Sequence, residues 1–187
     1  MKINGNEVRT GNILEYQGRL MRATKVHIVQ MGNWRSYLQV ELKDIRDGTK
    51  LNERIRPADV VERVQLDEKE YQFLYKEGSQ YTFMDNETFD QLTLSKEWVG
   101  DQMLYMKENE EAQLIMYEGK PISLELPEMV ELVVKETEPS VKGATAAAQY
   151  KPAILETGLK VTVPPFISIG EKLQIDTRTG EYLSRAK

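Results

Sequence analysis

Apolar and polar residues alternate along almost the whole chain, and short groups of turn-forming residues interrupt the alternation at close intervals. A period of two residues is typical of β-strands with one buried face, whereas an amphipathic helix repeats every 3.6 residues. The clearest interruption is Asp47-Gly48, because Asp-Gly between alternating segments is a strong hairpin signal. The pattern therefore predicts an all-β protein.

The spacing of strands and turns predicts three small barrels in a row. Residues 1–65 carry five short strands, for which an SH3-like barrel is the economical arrangement, because closure removes exposed strand edges. Residues 66–128 and 129–187 each predict a five-stranded OB-like barrel. One short helix is expected after Ser95, a suitable N-cap, with Trp98 buried.

The net charge of −5 hides an uneven distribution along the chain. Residues 1–65 hold 12 Lys and Arg against 8 Asp and Glu, residues 66–128 hold 5 against 15, and residues 129–187 hold 8 against 7. The basic first third would attract phosphate groups and the acidic middle third would repel them. The alternative is that the lysines and arginines only solvate a barrel surface.

Composition argues against several classes of protein. The chain has no cysteine, which excludes disulfides, thiolate metal sites and a cysteine nucleophile. It has no apolar run of membrane-spanning length and no signal-peptide pattern, so a cytoplasmic location is expected. The single histidine, His27, has no candidate partner for catalysis or metal binding and is expected to be structural. We therefore expect a binding protein without metal or cofactor, not an enzyme.

Residues 28–44, IVQMGNWRSYLQVELKD, alternate on both sides of a Gly-Asn pair and predict a long hairpin. Its tip carries Trp34 and Arg35, although small polar residues usually occupy turns. A guanidinium can bind phosphate and an indole can stack on an unpaired base, so the tip is a candidate contact. Alternatively, Trp34 covers a cross-strand neighbour such as Met31.

Residues 151–187 read KPAILETGLKVTVPPFISIGEKLQIDTRTGEYLSRAK, and this stretch resembles the C-terminal signature of the bacterial elongation factor P family. The similarity continues through YTFMDNETFDQ in the middle third and VELKDIRDGTKLNERIR in the first. The resemblance implies an SH3-like (KOW-type) barrel followed by two OB-fold barrels, arranged as a bent, tRNA-shaped rod.

The resemblance also implies a function. Members of this family bind the 70S ribosome between the peptidyl- and exit-tRNA sites, where they contact peptidyl-tRNA and ribosomal RNA. They stimulate peptide-bond formation where consecutive prolines would stall synthesis, and they make no bond themselves. We expect a monomer without a cofactor or membrane partner.

The hairpin tip departs from the pattern of the family it resembles. In that family the tip reaches toward the peptidyl-transferase centre and usually presents a lysine or arginine that is often modified. Aligned back from QVELKD, this position falls on Asn33, which cannot carry the extensions made on lysine or arginine. Either Trp34 and Arg35 supply the contact instead, or the chain is a divergent RNA-binding or regulatory relative with weak or altered rescue activity.

The remaining site residues also follow from the resemblance. A Gly-Asp-Thr loop that faces the exit-site codon in the family corresponds to Gly143, Ala144 and Thr145, without the carboxylate. Tyr182 and Arg185 match a pair near small-subunit RNA, or else belong to ordinary barrel packing with a surface cation. Candidate contacts to the tRNA backbone in the first barrel are Lys43, Arg46, Lys50, Arg54 and Arg56.

Overall fold

The computed structural model describes residues 1–32, 35–140 and 149–187, with the backbone alone at Met31 and Arg35. The strands of the first sheet are β1 (Lys2–Asn4), β2 (Ile13–Tyr16), β3 (Arg19–Met31), β4 (Arg35–Asp44), β5 (Lys50–Ile55) and β6 (Val60–Val64). Those of the second sheet are β7 (Asp67–Glu77), β8 (Gln80–Asp85), β9 (Gln91–Ser95), β10 (Glu111–Tyr117) and β11 (Lys120–Glu125). Those of the third sheet are β12 (Met129–Thr137), β13 (Lys151–Leu155), β14 (Lys160–Val163), β15 (Lys172–Asp176) and β16 (Tyr182–Arg185).

The first sheet has six strands in the order β1-β6-β2-β3-β4-β5, one more than the five expected from the sequence. The additional strand, β1, places Ile3 opposite Val61 of β6. Three residues are too few for alternation to be recognised in a sequence, which is why this strand was missed. The buried core of the sheet consists of Ile3, Val8, Leu14, Met21, Ala23, Leu38, Val40, Leu42 and Ile55.

Gly5 opens a short 3₁₀ helix, Gly5–Glu7, directly after β1. Its amide donates to the carbonyl oxygen of Asp59 at 2.7 Å. A Cβ atom at this position would lie 2.1 Å from the carbonyl oxygen of Arg56. Glycine is therefore required here, because any side chain would force the two backbone segments apart.

The second sheet has the order β11-β10-β7-β8-β9. The expected helix is present as α1 (Lys96–Val99), and the hydroxyl of Ser95 accepts a hydrogen bond from the amide of Trp98 at 3.3 Å. The expectation that Trp98 is buried is wrong: it is half-buried, and Val99 is 2 % exposed. The single helical turn directs Val99 inward and leaves Trp98 at the boundary with solvent.

The third sheet has the order β14-β13-β12-β15-β16. Its buried core consists of Val130, Leu132, Val134, Ala153, Leu155, Leu159, Val161, Val163, Ile167, Leu173 and Ile175. Leu104 and Tyr105, at the end of the 3₁₀ helix Gly100–Tyr105, pack against this core. The hydroxyl of Thr157 donates to the carbonyl of Leu104.

A buried ammonium group lies at the start of β13. Lys151 is 6 % exposed, and its Nζ donates to the carbonyl oxygens of Glu138 at 2.5 Å and Ile167 at 2.6 Å. Beside it, the hydroxyl of Thr137 donates to the carbonyl oxygen of Pro152 at 3.0 Å. Hydrogen bonds from a charged donor are strong and offset the desolvation of a buried ion.

One type of turn closes a hairpin in each sheet. The three segments, which we call the aspartate turns, are Asp44–Thr49, Asp85–Asp90 and Asp176–Glu181. In each turn, Oδ1 of the first residue accepts the amides of the third and fourth residues, at 2.7 to 3.2 Å. The carbonyl oxygen of the same aspartate accepts the amide of the fifth residue, at 2.8 to 3.0 Å. Aspartate suits this position because its side chain bonds the backbone just ahead of it.

The all-β prediction is confirmed, and both later sheets have the five expected strands. By contacts, the chain divides into two compact units. The first contains Met1–Glu68 and Ile115–Ser123, and the second contains Lys69–Leu114 and Leu124–Lys187. The domain boundaries near residues 65 and 128 stay predictions. No helix within the described ranges is long and apolar enough to cross a membrane.

We predict that Gly5→Ala destabilises the first sheet by about 1–3 kcal/mol, because the added methyl group overpacks the contact with Arg56. In a domain of this size, each kcal/mol lowers the Tm by about 4–8 °C. Thermal unfolding measures the effect, with Asn6→Ala at the neighbouring exposed residue as the control. Equal Tm values for the two variants would contradict the prediction.

A second prediction concerns acid stability. The amide of Glu87, then the amide of Thr88 and the ammonium of Lys69, hold the pKa of Asp85 below its ordinary value. A carboxylate with a depressed pKa adds stability above the unfolded pKa of about 3.9, and this stability is lost as pH falls through the folded pKa. Urea unfolding between pH 6 and 3 should show a smaller acid-dependent loss for Asp85→Asn than for the parent chain. Identical pH profiles would show that Asp85 does not contribute.

Candidate nucleic-acid interface

The β3–β4 hairpin is longer than the strand beside it. The two strands stay paired as far as Met31 opposite Arg35, whereas the pairing of β4 with β5 ends at Leu38 opposite Ile55. Three further cross-strand pairs lie beyond the end of β5. They form a two-stranded ribbon about 10 Å long, at roughly 3.3 Å per residue. The ribbon carries the backbone of β3 and β4, as far as Met31 and Arg35, beyond the end of β5.

One face of β3, β4 and β5 points away from the core. Residues opposite each other in an antiparallel pair point to the same side, and Leu38, Val40 and Leu42 of β4 are buried. The other side, which we call the outer face, carries Arg22, Lys25, His27, Val29, Tyr37, Gln39, Glu41, Lys43, Lys50, Asn52 and Arg54. His27, expected to be structural, is exposed on this face.

Lysines and arginines outnumber carboxylates five to one on the outer face. Lys43 lies opposite Arg22 on one side and opposite Lys50 on the other. Like charges directly opposite each other destabilise a sheet. A row of three cations therefore carries a cost that binding to a polyanion would remove, because phosphates would neutralise the row.

Glu41 is the one carboxylate of the outer face. Its oxygens lie 3.7 Å from Nζ of Lys25 and 3.9 Å from Nζ of Lys50. The hydroxyl of Thr24 donates to Oε1 at 2.7 Å, and this hydrogen bond, assisted by the two ammonium groups, holds the pKa of Glu41 below its ordinary value. Glu41 is therefore ionised at neutral pH, and it offsets one of five positive charges on the face.

A β-bulge brings the cations of β3 onto the outer face. Ala23 lies opposite Leu42 and Lys25 lies opposite Glu41, so Thr24 is an extra residue in β3. Without the bulge, strict alternation would place Arg22 and Lys25 on opposite sides of the sheet. Neither residue is predicted from the sequence, because alternation carries no sign of an extra residue until the pairing is known.

The five predicted tRNA-backbone contacts divide into two groups. Lys43, Lys50 and Arg54 lie together on the outer face. Arg46 lies in the first aspartate turn and Arg56 follows the other end of β5, so the structure places these two beyond the ends of the face.

Arg54 also marks the base of the projecting ribbon. Its guanidinium carbon lies 5.0 Å from the centre of the Tyr37 ring, a distance typical of a cation–π contact. This contact holds a positive charge where the ribbon leaves the sheet.

The C-terminal pair of candidates occupies β16. Tyr182 packs against the third core, and burial raises the pKa of its hydroxyl. Arg185 is 57 % exposed, with its guanidinium 5.1 Å from the ring centre of Phe166 and 3.3 Å from a carboxylate oxygen of Glu171. Tyr182 thus packs against the core, whereas Arg185 is an exposed cation that is paired with Glu171.

Some predicted site residues lie outside the described part of the chain. These are Asn33, Trp34, the side chain of Arg35, and Gly143, Ala144 and Thr145. Their roles stay predictions. Within the described ranges, no three His, Asp or Glu side chains are grouped closely enough to hold a metal ion.

Models of known protein families match most of the chain. Residues 4–61 match the elongation factor P (EF-P) KOW-like domain, and residues 66–124 match the elongation factor P (EF-P) OB domain. Residues 130–185 match the C-terminal domain of elongation factor P. These matches confirm the predicted order of an SH3-like barrel followed by OB-fold barrels.

Full-length relatives agree with the family models. The elongation factor P of Parvibaculum lavamentivorans is 50 % identical over 186 residues, and that of Brucella ovis is 49 % identical over 186 residues. In both cases the match covers 100 % of this chain and 100 % of the relative.

Solved structures share the fold at low sequence identity. The eukaryotic translation initiation factor 5A from Methanococcus jannaschii matches with a TM-score of 0.52 and 16 % identity, over 66 % of this chain and 88 % of that protein. A translation initiation factor eIF-5A family protein from Naegleria fowleri gives a TM-score of 0.54 and 16 % identity, over 67 % and 98 %. These two structures support the fold alone.

A KOW-like domain followed by the OB domain and C-terminal domain of this kind defines a class of translation elongation factors. The chain belongs to the elongation factor P family. The protein is therefore a translation elongation factor, and its family is one of translation factors rather than classical enzymes.

We predict that Arg22→Gln and Lys43→Gln each lower the affinity of the chain for tRNA and make that affinity less dependent on salt. Each phosphate contact adds about 0.7–0.9 to the slope of log affinity against log salt. Fluorescence anisotropy between about 50 and 200 mM salt gives the slopes. Lys96→Gln, at an exposed residue of the acidic middle region, is the matched control and should leave the slope unchanged. Slopes for Arg22→Gln and Lys43→Gln that equal the slope of the parent chain would exclude these two side chains from RNA binding.

Proposed function

We propose that this elongation factor binds the 70S ribosome beside peptidyl-tRNA and stimulates peptide-bond formation, relieving stalling at consecutive prolines. The observation that carries the proposal is the two-stranded ribbon extending past β5 with a basic outer face at its base. Such a geometry suits a protein that holds RNA with a charged surface and inserts a thin probe beyond it. Membership of the elongation factor P family supports the same conclusion.

The mechanism is one of positioning. Proline fixes its own backbone angle and restricts the nascent chain, so the reacting groups are poorly aligned when several prolines follow one another. A factor that holds the acceptor end of peptidyl-tRNA favours the productive alignment without making a bond. An orientational gain of only about 1.4 kcal/mol would raise the rate about tenfold.

The uneven distribution of charge along the chain favours one orientation of the factor relative to RNA. Residues 1–65 hold 12 Lys and Arg against 8 Asp and Glu, whereas residues 66–128 hold 5 against 15. The electrostatic field of RNA attracts the first region and repels the second. We infer that the outer face, with Lys43, Lys50 and Arg54, approaches tRNA and that the middle region is turned away from phosphate.

At the tip, Arg35 and Trp34 take the place of the modified side chain. The guanidinium of Arg35 would bind a phosphate and the indole of Trp34 would stack on an unpaired base, a contact of about 1–3 kcal/mol. The other predicted contacts are the exit-site codon loop Gly143–Thr145 and Arg185 at small-subunit RNA. In this proposal the factor acts as a monomer in the cytoplasm.

A second candidate function is that of a divergent relative with weak or altered rescue activity. Two sequence observations favour it: Asn33 occupies the modification position, and Ala144 stands where the codon loop usually has a carboxylate. Such a protein would use the same basic face for RNA binding or regulation away from stalled ribosomes. Ribosome co-sedimentation, with footprinting beside the exit site, separates the two candidates.

The test is synthesis of a triple-proline reporter in a translation system that lacks elongation factor P. The parent chain should raise the rate of synthesis across the proline run and leave a reporter without prolines unchanged. No acceleration by the parent chain would overturn the proposed function.

In the same assay we predict that Arg35→Ala lowers the rate of the triple-proline reporter by about tenfold, equivalent to about 1.4 kcal/mol. Arg63→Ala, at an exposed residue of β6, is the control because it removes the same charge elsewhere on the first sheet. Equal rates for Arg35→Ala and the parent chain would remove Arg35 from the mechanism.

A further inference from the structure

The three aspartate turns have the same pattern of backbone hydrogen bonds, but they differ in the type of residue at the fifth position. The fifth residue of each turn has a positive φ: 73° at Gly48, 64° at Phe89 and 75° at Gly180. Glycine adopts this left-handed conformation without steric cost, whereas a bulky aromatic residue is an outlier there. The chain thus uses glycine twice for this turn and replaces it once with phenylalanine.

Burial does not account for Phe89. The residue is 69 % exposed, although phenylalanine gains stability mainly by removing its ring from water. The middle turn therefore combines an unfavourable backbone conformation with an unfavourable exposure. Backbone outliers of this kind persist where the surrounding structure holds them, and they concentrate at functional sites.

The surrounding structure does hold Phe89 in place. Its amide donates to the carbonyl of Asp85 at 2.9 Å, and Asp85 is 2 % exposed. The carboxylate of Asp85 accepts the amides of Glu87 and Thr88, and lies 3.3 Å from Nζ of Lys69. The ring is therefore presented by a fixed turn rather than by a loose loop.

The charges around the ring indicate what it contacts. Glu87 and Asp90 flank it and are exposed, and the side-chain amide of Asn86 donates to a carboxylate oxygen of Glu111 at 3.0 Å. The neighbouring cation, Lys69, is paired with Asp85. Exposed carboxylates such as these repel phosphate groups and attract lysine and arginine side chains. An exposed aromatic ring with an acidic rim fits a basic protein surface, not RNA.

We propose that Phe89 is an anchor for a protein, inserting into an apolar pocket that lysine or arginine side chains surround, with Glu87 and Asp90 facing those cations. Given the proposed function, that partner is a protein component of the ribosome. A central aromatic anchor within a charged rim is a common arrangement of binding hot spots. This inference rests on the proposed function, because the ribosome supplies the partner.

The test compares ribosome binding by Phe89→Gly, Phe89→Tyr and the parent chain. Phe89→Gly reproduces the residue found at Gly48 and Gly180, so its Tm should not fall below that of the parent chain. We expect its affinity for purified 70S ribosomes to be at least tenfold weaker, and we expect Phe89→Tyr to retain the parent affinity. Equal affinity for Phe89→Gly and the parent chain would overturn the inference.

A second measurement shows whether the partner of Phe89 is a protein or an RNA. A photo-crosslinking phenylalanine analogue at position 89, irradiated on the ribosome, should attach to a ribosomal protein. Attachment to ribosomal RNA or to tRNA would overturn the inference, and so would the absence of any cross-link while the parent chain binds. If the parent chain does not bind ribosomes, the proposed function and this inference both fall, which distinguishes that failure from the failure of Phe89 alone.

Discussion

The cross-strand register of β3 and β4 is the constraint on which the proposed RNA-binding site depends. It places Leu38, Val40 and Leu42 in the core and turns the residues between them outward. The hydrogen bonds of an antiparallel ladder allow no intermediate arrangement, because a shift by one residue exchanges the two faces. Thr24 makes one such shift within β3, so the cations on both sides of the bulge collect on one surface. Core packing and charge clustering are thus two results of a single pairing.

The aspartate turns are stabilised by hydrogen bonds within the turn itself. An aspartate side chain satisfies two backbone amides at each aspartate turn, which removes the need for a partner from elsewhere in the chain. Because each turn satisfies these backbone amides with its own aspartate, the side chain of the fifth residue can vary as long as the residue keeps the left-handed conformation. Gly48 and Gly180 are the low-energy choices, and Phe89 is the costly one. Phe89 is unfavourable in both backbone conformation and exposure, and the turn itself does not require it. This combination indicates that the ring contacts a binding partner.

Much of the fold could be predicted from the sequence, and the reasons for the failures are physical. Alternation and turn residues located most of the strands and the capped helix, since both signals are local. β1 was missed because three residues show no period, and Trp98 was misplaced because a single helical turn has no clear inner side. Of the outer face, Lys43, Lys50 and Arg54 were found from sequence, whereas Arg22 and Lys25 depend on a bulge that only the pairing reveals. The exposure of Phe89 likewise carries no sequence signal, because its neighbours resemble those of an ordinary strand end.

The buried ammonium of Lys151 has a consequence for which side chains this position accepts. Its bonds to Glu138 and Ile167, together with the bond from Thr137 to Pro152, hold the end of β12 and the residues before β15 against the start of β13. Without the ammonium, each carbonyl oxygen would lose a charged donor, and a buried polar group without a partner costs about 1–3 kcal/mol. An apolar side chain of similar length would fill the same space but would not replace these bonds. Lys151 is therefore a charged member of the third core rather than a surface residue.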